Sequence, residues 1–324
     1  MRRTTVAALL GVTVSACLTA PARPGFPTAD FTVPRFVRIQ LAENSELVVR
    51  DVPLEEYVRG TVLSEFAPAS GDLASVERML EVQAIISRSY AAAHLSRHAR
   101  DGFDLCATTH CQLFDPARLQ TSRWAAAAAT AVDRTAGVVL EFKGAAAQAL
   151  FHADCGGRTS TASAVWGGDD RAYLTARADD DVPAETHARW EYRVERDALA
   201  QALDADERAT HRRAIDRVDV VRRDESGRAQ EVVIGGPSGR TTLRGDELRQ
   251  ILARAFGARA IRSTWFDVRR EGRAFLFSGR GFGHGVGLCQ AGALARIHRG
   301  SSVKEILDFY YPGTSLELAR HGSR

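Results

Sequence analysis

The sequence predicts an α+β fold, because its 324 residues carry both strand and helix periodicities. Apolar and polar residues alternate over residues 31–52 around a turn at Asn44–Ser45, which is typical of a β-hairpin. Apolar residues then recur at helical spacing over residues 54–63, where Pro53 begins a short helix, and again over about 73–97. A hairpin followed by two amphipathic helices is therefore expected at the start of the folded region.

The same mixture of helices and strands continues toward the C-terminus. The further predicted elements are an alanine-rich helix at 122–135, strands at 137–144 and 147–154, a loop at 159–174 and a hairpin at 265–280. The segment from about 190 to 264 has a different pattern of predicted elements: a helix, three strands and a second helix. We interpret this segment as an α/β subdomain inserted into the main fold.

The N-terminus has the order of features of an export signal. A basic start is followed by the apolar run 6–14, which is too short to span a bilayer, and then by small residues before Cys17. This order resembles the lipobox of bacterial lipoproteins and implies a signal peptide over residues 1–16 and a lipid on Cys17. Residues 17–34 would form a tether. An ordinary secreted protein whose signal contains a cysteine is the alternative.

Composition and charge narrow the classes of function. The net charge of +3 is small, and no Lys/Arg run with interleaved aromatic residues is present, so nucleic-acid binding is not expected. Apart from Cys17, the cysteines are Cys106, Cys111, Cys155 and Cys289. In an exported chain they permit two disulfides in three pairings, and nearby histidines equally permit a metal site.

Glycine occupies every second position from Gly279 to Gly287, with His284 among these glycines. The spacing fits neither a dinucleotide-binding fingerprint nor a P-loop. Alternate glycines after a strand indicate that a ligand or another stretch of backbone approaches closely. A groove for an extended polymer and a strand packed tightly within the protein explain the pattern equally well.

Glu65 is the carboxylate that best suits general acid chemistry. It ends the first predicted helix between Leu63 and Phe66, and Pro68 follows shortly after. A carboxyl group in apolar surroundings has a raised pKa, because its charged form is disfavoured there. A solvated glutamate at the end of a helix is the simpler alternative.

A cluster of metal-ligand residue types follows the second predicted helix. Its members are His98, Cys106, His110 and Cys111. Thiolate and imidazole ligands within a short span suit a tetrahedral zinc ion, whereas an oxidising compartment favours a small disulfide loop. His152 and Cys155 form a second Cys/His pair further along.

Several motifs, taken in one order, resemble the stage II sporulation protein D (SpoIID) family, which includes the amidase-enhancer-like LytB domains. They are "VPLEEYVRGTVLSEFAP", "EVQAIISRSYAAAH", "CATTHCQLF", "FHADCGGRTSTASAVWGG" and "GRGFGHGVGLCQAGALA" followed by "ILDFYYPGTSL". The resemblance covers residues 35–318 and implies a SpoIID-like fold in which mixed sheets and helices form an extended substrate groove.

The resemblance further implies a peptidoglycan lytic transglycosylase, which cleaves MurNAc–GlcNAc bonds of denuded glycan strands and leaves 1,6-anhydro ends. Glu65 would be the catalytic acid, within a match at Val62–Phe66 that departs from the family pattern by the extra Ala67. A second carboxylate is not required, because a hydroxyl of the sugar itself attacks C1 in place of water.

The resemblance also assigns the remaining site residues. The residues implied to line the groove are His152, Asp154, the loop from Ser160 to Trp166, Gly283, His284 and Gln290. Similarity to clostridial members implies a structural zinc on Cys106 and Cys111, with His98 or His110 as the third ligand. Cys155 and Cys289 would face each other, as a disulfide or as a pair of thiols.

These implications together predict a lipid-anchored protein of the cell envelope, whose partners are glycan strands and a cell-wall amidase. A non-enzymatic module that binds peptidoglycan and enhances an amidase is the competing hypothesis. A zinc hydrolase is less consistent with the sequence, because no H-E-x-x-H motif is present.

Overall fold

The structure is a computed structural model that describes residues 25–182, 187–209, 215–237 and 239–322. The expected signal peptide and Cys17 lie outside these residues. The described part of the chain is α+β, as predicted, with several small sheets in place of one large sheet. None of the helices in these ranges combines the length and the apolar character that crossing a membrane requires.

The described elements follow one another in chain order. The helices are α1 (Leu54–Glu65), α2 (Leu73–Ala93), α3 (Arg118–Thr121), α4 (Ala125–Arg134), α5 (Ala162–Trp166), α6 (Arg196–Asp204), α7 (Gly245–Phe256), α8 (Gln290–His298) and α9 (Val303–Tyr310). The strands are β1 (Thr28–Val33), β2 (Phe36–Glu43), β3 (Glu46–Pro53), β4 (Leu105–Cys106), β5 (Val138–Phe142), β6 (Ala145–Ala146), β7 (Phe151–His152), β8 (Arg189–Glu195), β9 (Arg217–Arg223), β10 (Ala229–Gly236), β11 (Gly239–Arg244), β12 (Phe266–Glu271), β13 (Ala274–Arg280), β14 (Leu288–Cys289) and β15 (Ser315–His321). The sheet orders are β1-β15-β5-β6, β3-β2-β4, β7-β14, β12-β13-β8 and β11-β10-β9.

Helix α2 is buried on two sides and contributes to two hydrophobic cores. Val76, Leu80 and Ala84 pack in the first core, together with α1, α4 and the β2–β3 hairpin. Met79 and Ile86 pack in the second core, together with β5, β14, α8 and α9. Because α2 packs in both cores, it supports both the end of α1 and the start of α8.

Arg88 is a fully buried charge that joins α2 to α1 and β5. Its Nε and Nη2 donate to the two carboxylate oxygens of Glu55 at 2.8 and 2.6 Å, and its Nη1 donates to the Val138 carbonyl at 2.9 Å. The Gly137 N–H donates to the same carboxylate at 3.2 Å. A bidentate pair of this kind compensates a charge that burial would otherwise make costly.

A third hydrophobic core is built from residues between 190 and 277. In it β13 pairs antiparallel with both β12 and β8, so that Arg280 lies opposite Arg189. The hairpin expected at 265–280 therefore packs with the segment 190–264, and this packing unit extends past residue 264. Strands that are so far apart in the chain cannot be recognised as partners from the local sequence.

Several local elements differ from their expected bounds. The hairpin turn at Asn44–Ser45 is confirmed, with φ of 50° and 68°. Helix α2 ends at Ala93 and not near residue 97, because the His94 ring bonds to the Tyr90 carbonyl and Ser96 adopts a φ of 63°.

Three further segments form elements that the sequence patterns placed differently. Residues 28–33, inside the expected tether, form β1 and pair in parallel with β15. Only Phe151 and His152 of the strand expected at 147–154 are extended as β7, because the partner strand β14 is equally short. The loop expected at 159–174 contains α5, whose N-terminal amides are capped by Thr161.

We predict that Glu55→Ala lowers the free energy of unfolding by about 3–5 kcal/mol, because Arg88 is then left buried without its partner. Chemical denaturation followed by circular dichroism measures this change. The neighbouring exposed Glu56 provides the control, since Glu56→Ala is expected to change stability by less than about 0.5 kcal/mol. Equal losses in the two variants would contradict a dominant role for the buried ion pair.

Candidate functional site

Glu65 is the last residue of α1, and its side chain is partly buried. The Leu113 N–H donates to its Oε1 at 2.6 Å. Burial raises the pKa of Glu65 from 4.5 to about 7, and the hydrogen bond from Leu113 opposes this shift only in part. A large fraction of these carboxyl groups is therefore protonated at neutral pH, as a general acid requires.

The loop that supplies Leu113 is fastened to α1 on both sides of that residue. The Tyr57 hydroxyl donates to Gln112 Oε1 at 3.0 Å, and the Asp115 N–H donates to Ser64 Oγ at 3.1 Å. Phe114 packs against Gly60, where a Cβ atom would lie 2.5 Å from the ring. These contacts place the Leu113 amide against Glu65. Sequence reasoning missed Leu113, because the contact uses a backbone group that any residue would offer.

Gln290 at the start of α8 reaches the backbone of Glu65. Its Nε2 lies 3.3 Å from the Glu65 carbonyl oxygen and 3.0 Å from Oε1 of the buried Gln83. Gln83 in turn donates to Ser87 Oγ at 3.3 Å. Sequence reasoning also missed Gln83, although a signal existed: Gln83 and Ser87 are polar residues that continue the apolar stripe through Val76 and Leu80.

The four residues of the predicted Cys/His cluster do meet. One ligand atom from each of His98, Cys106, His110 and Cys111 lies within 4.8 Å of the others. The Cys111 Sγ is 3.4 Å from His98 Nε2, and the Cys106 Sγ is 3.7 Å from His110 Nδ1. Both cysteines are free, and a hydrogen bond from the Cys111 thiol lowers the pKa of Cys106.

The surroundings of this cluster also suit a metal ion. The Nδ1 of His98 lies 3.4 Å from an Asp101 carboxylate oxygen, which leaves Nε2 directed to the cysteine side. Metal-binding histidines commonly have such a carboxylate partner on the other ring nitrogen. The donor set of two thiols and two imidazoles is compatible with zinc.

The alternate glycines pack against the protein's own chain. At each one, an added Cβ would lie under 3.0 Å from another group. The opposing groups are the Trp190 ring for Gly279, the Asp154 carbonyl for Gly281, His152 Cβ for Gly283, the Arg228 guanidinium for Gly285 and the Leu150 carbonyl for Gly287. Four of these glycines, Gly281 to Gly287, also have φ between 71° and 110°. Close packing within the protein therefore accounts for the pattern, and a glycan is not needed to explain it.

His284, His152 and Trp166 form a row of rings. The His284 ring centroid lies 5.5 Å from that of His152 and 5.1 Å from that of Trp166. Burial, followed by the charge of Arg249, lowers the pKa of His284 to about 4, and burial lowers the pKa of His152 as well. Both imidazoles are neutral at neutral pH. Trp166 is 40% exposed, so this end of the row is accessible to a ligand.

Asp154 and Ser160 are buried and engaged with other groups of the chain. The Asp154 carboxylate lies 2.7 Å from His187 Nδ1 and accepts from two backbone N–H groups at 2.7 and 2.8 Å. The Ser160 hydroxyl donates to Asp224. Both side chains thereby connect the segment after β7 to residues that flank or belong to the third core.

A cavity of about 670 Å³ lies elsewhere, beside the sheet of the third core. Its lining includes Trp190, Trp265 and Arg280, and none of the predicted site residues. The candidate site is therefore defined by the chemistry of Glu65 and its neighbours.

Comparisons with known proteins identify two regions of the chain. Residues 42–142 match the stage II sporulation protein (SpoIID) family, and residues 179–287 match a domain of unknown function, DUF8618. The chain is therefore similar to the SpoIID family over residues 42–142. Glu65 and the Cys/His cluster both lie within the SpoIID match.

Similarity to individual proteins extends beyond these residues. The chain is 25% identical to stage II sporulation protein D of Bacillus subtilis over 323 residues, which covers 94% of this chain and 85% of that protein. It is 27% identical to an uncharacterized protein of Brachyspira hyodysenteriae over 278 residues, or 83% and 68% of the two chains. A third similarity, 44% identity to the amidase enhancer of Bacillus subtilis, spans 70 residues, 22% of this chain and 9% of that protein.

We predict that Glu65→Gln stabilises the protein relative to wild type as pH rises. The folded pKa of Glu65 lies above its unfolded value, so stability is lost as pH rises through about 7, and glutamine avoids this loss. The advantage of the variant should grow by about 3 kcal/mol between pH 4 and pH 9. Urea denaturation at both pH values measures it, with the exposed Glu56→Gln as control. A difference that does not change with pH would contradict the raised pKa.

Proposed function

We propose that this protein is a peptidoglycan lytic transglycosylase with Glu65 as its catalytic acid and base. The observation that supports the proposal most strongly is the carboxyl of Glu65, whose pKa of about 7 suits both roles near neutral pH. Similarity to the SpoIID family is consistent with action on the cell wall.

In the proposed reaction the protonated Glu65 first donates its proton to the glycosidic oxygen, and the bond from MurNAc C1 to that oxygen breaks. The Glu65 carboxylate then accepts the proton of the MurNAc C6 hydroxyl while O6 bonds to C1. The products are a free GlcNAc hydroxyl and a 1,6-anhydro end, and Glu65 recovers its proton. The Leu113 N–H, which remains a donor throughout, stabilises the carboxylate between the two proton transfers.

The glycan would lie in an extended groove along the partly exposed members of the site. Trp166 is exposed, and His284 and Gln290 are partly exposed. A neutral imidazole and an amide suit hydrogen bonds to sugar hydroxyls. Gln290 would additionally position the end of α1. His152, Asp154 and Ser160 would shape the groove from below, because they are buried. The unit formed by the inserted segment would close one side of this groove.

We further propose a structural zinc ion on Cys106, Cys111, His98 and His110. Zinc bound there would supply folding free energy and no catalytic step. Leu113 lies two residues after Cys111 in the same loop, and its N–H would hold the Glu65 carboxyl in place.

The protein is proposed to act in the cell envelope, anchored through a lipid on Cys17. The alternative function is a non-enzymatic module that binds peptidoglycan and enhances a cell-wall amidase. The similarity of a 70-residue segment to an amidase enhancer favours this alternative. The raised pKa of Glu65 favours the enzyme, because a binding module has no need of a protonated carboxyl.

We predict that Glu65→Gln lowers cleavage of denuded glycan strands by about 100- to 10,000-fold, whereas Glu56→Gln leaves it unchanged. The wild-type rate should fall as pH rises above about 7, because Glu65 loses the proton that it must donate. Mass spectrometry of the released 1,6-anhydro sugars measures both effects. Equal product from wild type and Glu65→Gln would refute the role of Glu65. No product from either protein, with stimulation of an added amidase, would support the accessory function.

We predict that the double variant Cys106→Ser/Cys111→Ser loses one zinc per chain and melts at a lower temperature. Thr109→Ser, an exposed change in the same loop, should alter neither property. Elemental analysis and thermal denaturation provide the measurements. Unchanged zinc content in the double variant would exclude this cluster as a metal site.

A further inference from the structure

A second set of metal-ligand atoms lies within the second hydrophobic core. His152, Cys155 and Cys289 each offer one ligand atom, and the three atoms lie within 4.8 Å of one another. All three side chains are buried. Neither cysteine is in a disulfide. With bonds of about 2.0–2.3 Å to nitrogen and sulfur, a zinc ion requires ligand atoms at such separations. We propose that these three residues bind a zinc ion, a site distinct from the Cys106–Cys111 cluster.

The tautomer of His152 leaves one ring nitrogen free to bind a metal ion. Its Nδ1 lies 3.2 Å from the Val286 carbonyl oxygen, which can only accept, so Nδ1 carries the proton. The lone pair is therefore on Nε2, which is buried and has no hydrogen-bond partner among the described residues. Buried polar atoms without a partner are rare, and a backbone carbonyl on Nδ1 is a common arrangement for metal-binding histidines.

Backbone amides surround both sulfur atoms. Cys289 Sγ accepts from the N–H groups of Cys155 and Gly292 at 3.1 and 3.4 Å, and Cys155 Sγ accepts from the Gly157 N–H at 3.3 Å. Cys289 is also the N-cap of α8, and a helix N-terminus favours a thiolate. A bound zinc ion would displace the protons of both thiols.

A buried cation beside the cluster is consistent with two thiolates. Arg228 is 1% exposed, its Nη2 donates to the Cys155 carbonyl at 2.5 Å, and its Nε and Nη1 have no partner in the described part of the chain. This buried cation compensates negative charge at the cluster. Three protein ligands leave one position of a tetrahedral ion for water. Asp179 Oδ2 lies 3.5 Å from Cys155 Sγ, and the Asp179 carboxylate accepts from Arg296 and Tyr310.

The proposed ion would connect β7, the turn that follows it and Cys289, the residue immediately before α8. These are the segments that support His284 and Gln290, so the site would be structural. The proposal is independent of the reaction assigned to Glu65, because it concerns metal binding alone. A disulfide between Cys155 and Cys289 is the competing state in an oxidising compartment.

The test is the zinc content of the full chain, measured by elemental analysis after dialysis against a weak chelator. We expect two zinc ions per chain in the wild type. We expect one in Cys106→Ser/Cys111→Ser, one in Cys155→Ser/Cys289→Ser and none in the quadruple variant. Circular dichroism and a cooperative melt establish that each variant is folded. Co²⁺ alone, added to the metal-free Cys106→Ser/Cys111→Ser variant, should produce a thiolate-to-cobalt absorption band.

The proposal is overturned if folded Cys106→Ser/Cys111→Ser holds no zinc and gives no thiolate-to-cobalt band. Peptide mapping without reduction then shows whether Cys155 and Cys289 form a disulfide, which would identify the competing state. If that variant does not fold, Cys155→Ser/Cys289→Ser decides the question: one zinc ion fewer than in the wild type supports the second site, and an unchanged zinc content contradicts it.

Discussion

The close approach of the glycine segment 279–287 to the chain at 150–156 is the constraint on which the rest of the site depends. Gly281, Gly283 and Gly287 meet the Asp154 carbonyl, the His152 side chain and the Leu150 carbonyl, with no room for a Cβ atom. Through this contact β14 pairs with β7, and α8 begins where Gln290 reaches the carbonyl of Glu65. The same approach places Cys289 against Cys155.

The acid itself depends on a second feature, the burial of α2 on two sides. Because α2 packs in both the first and the second core, it supports the end of α1 and, through Gln83, the side chain of Gln290. Glu65 thus sits at a junction where solvent is largely excluded. The loop after Cys111 then supplies one amide to its carboxyl, enough to orient the group without restoring an ordinary pKa.

Elements governed by local periodicity could be predicted from the sequence, whereas elements governed by distant partners could not. The hairpin with its Asn44–Ser45 turn and the first helix follow from alternation and helical spacing, and both form as predicted. By contrast, the short β7 and the sheet of β8, β12 and β13 depend on partners far along the chain. The residues of the Cys/His cluster were identifiable because they lie close together in sequence.

The sequence by itself determined the similarity to the SpoIID family, the residue types of the candidate site and the apolar setting of Glu65, because these follow from motifs and neighbours along the chain. Only the tertiary structure decided which backbone amide donates to the Glu65 carboxyl, and that Gln290 contacts the Glu65 backbone. It also decided between the two explanations of the alternate glycines. Glycine permits close approach but does not specify the partner, and only the folded chain shows that the partner is the protein itself.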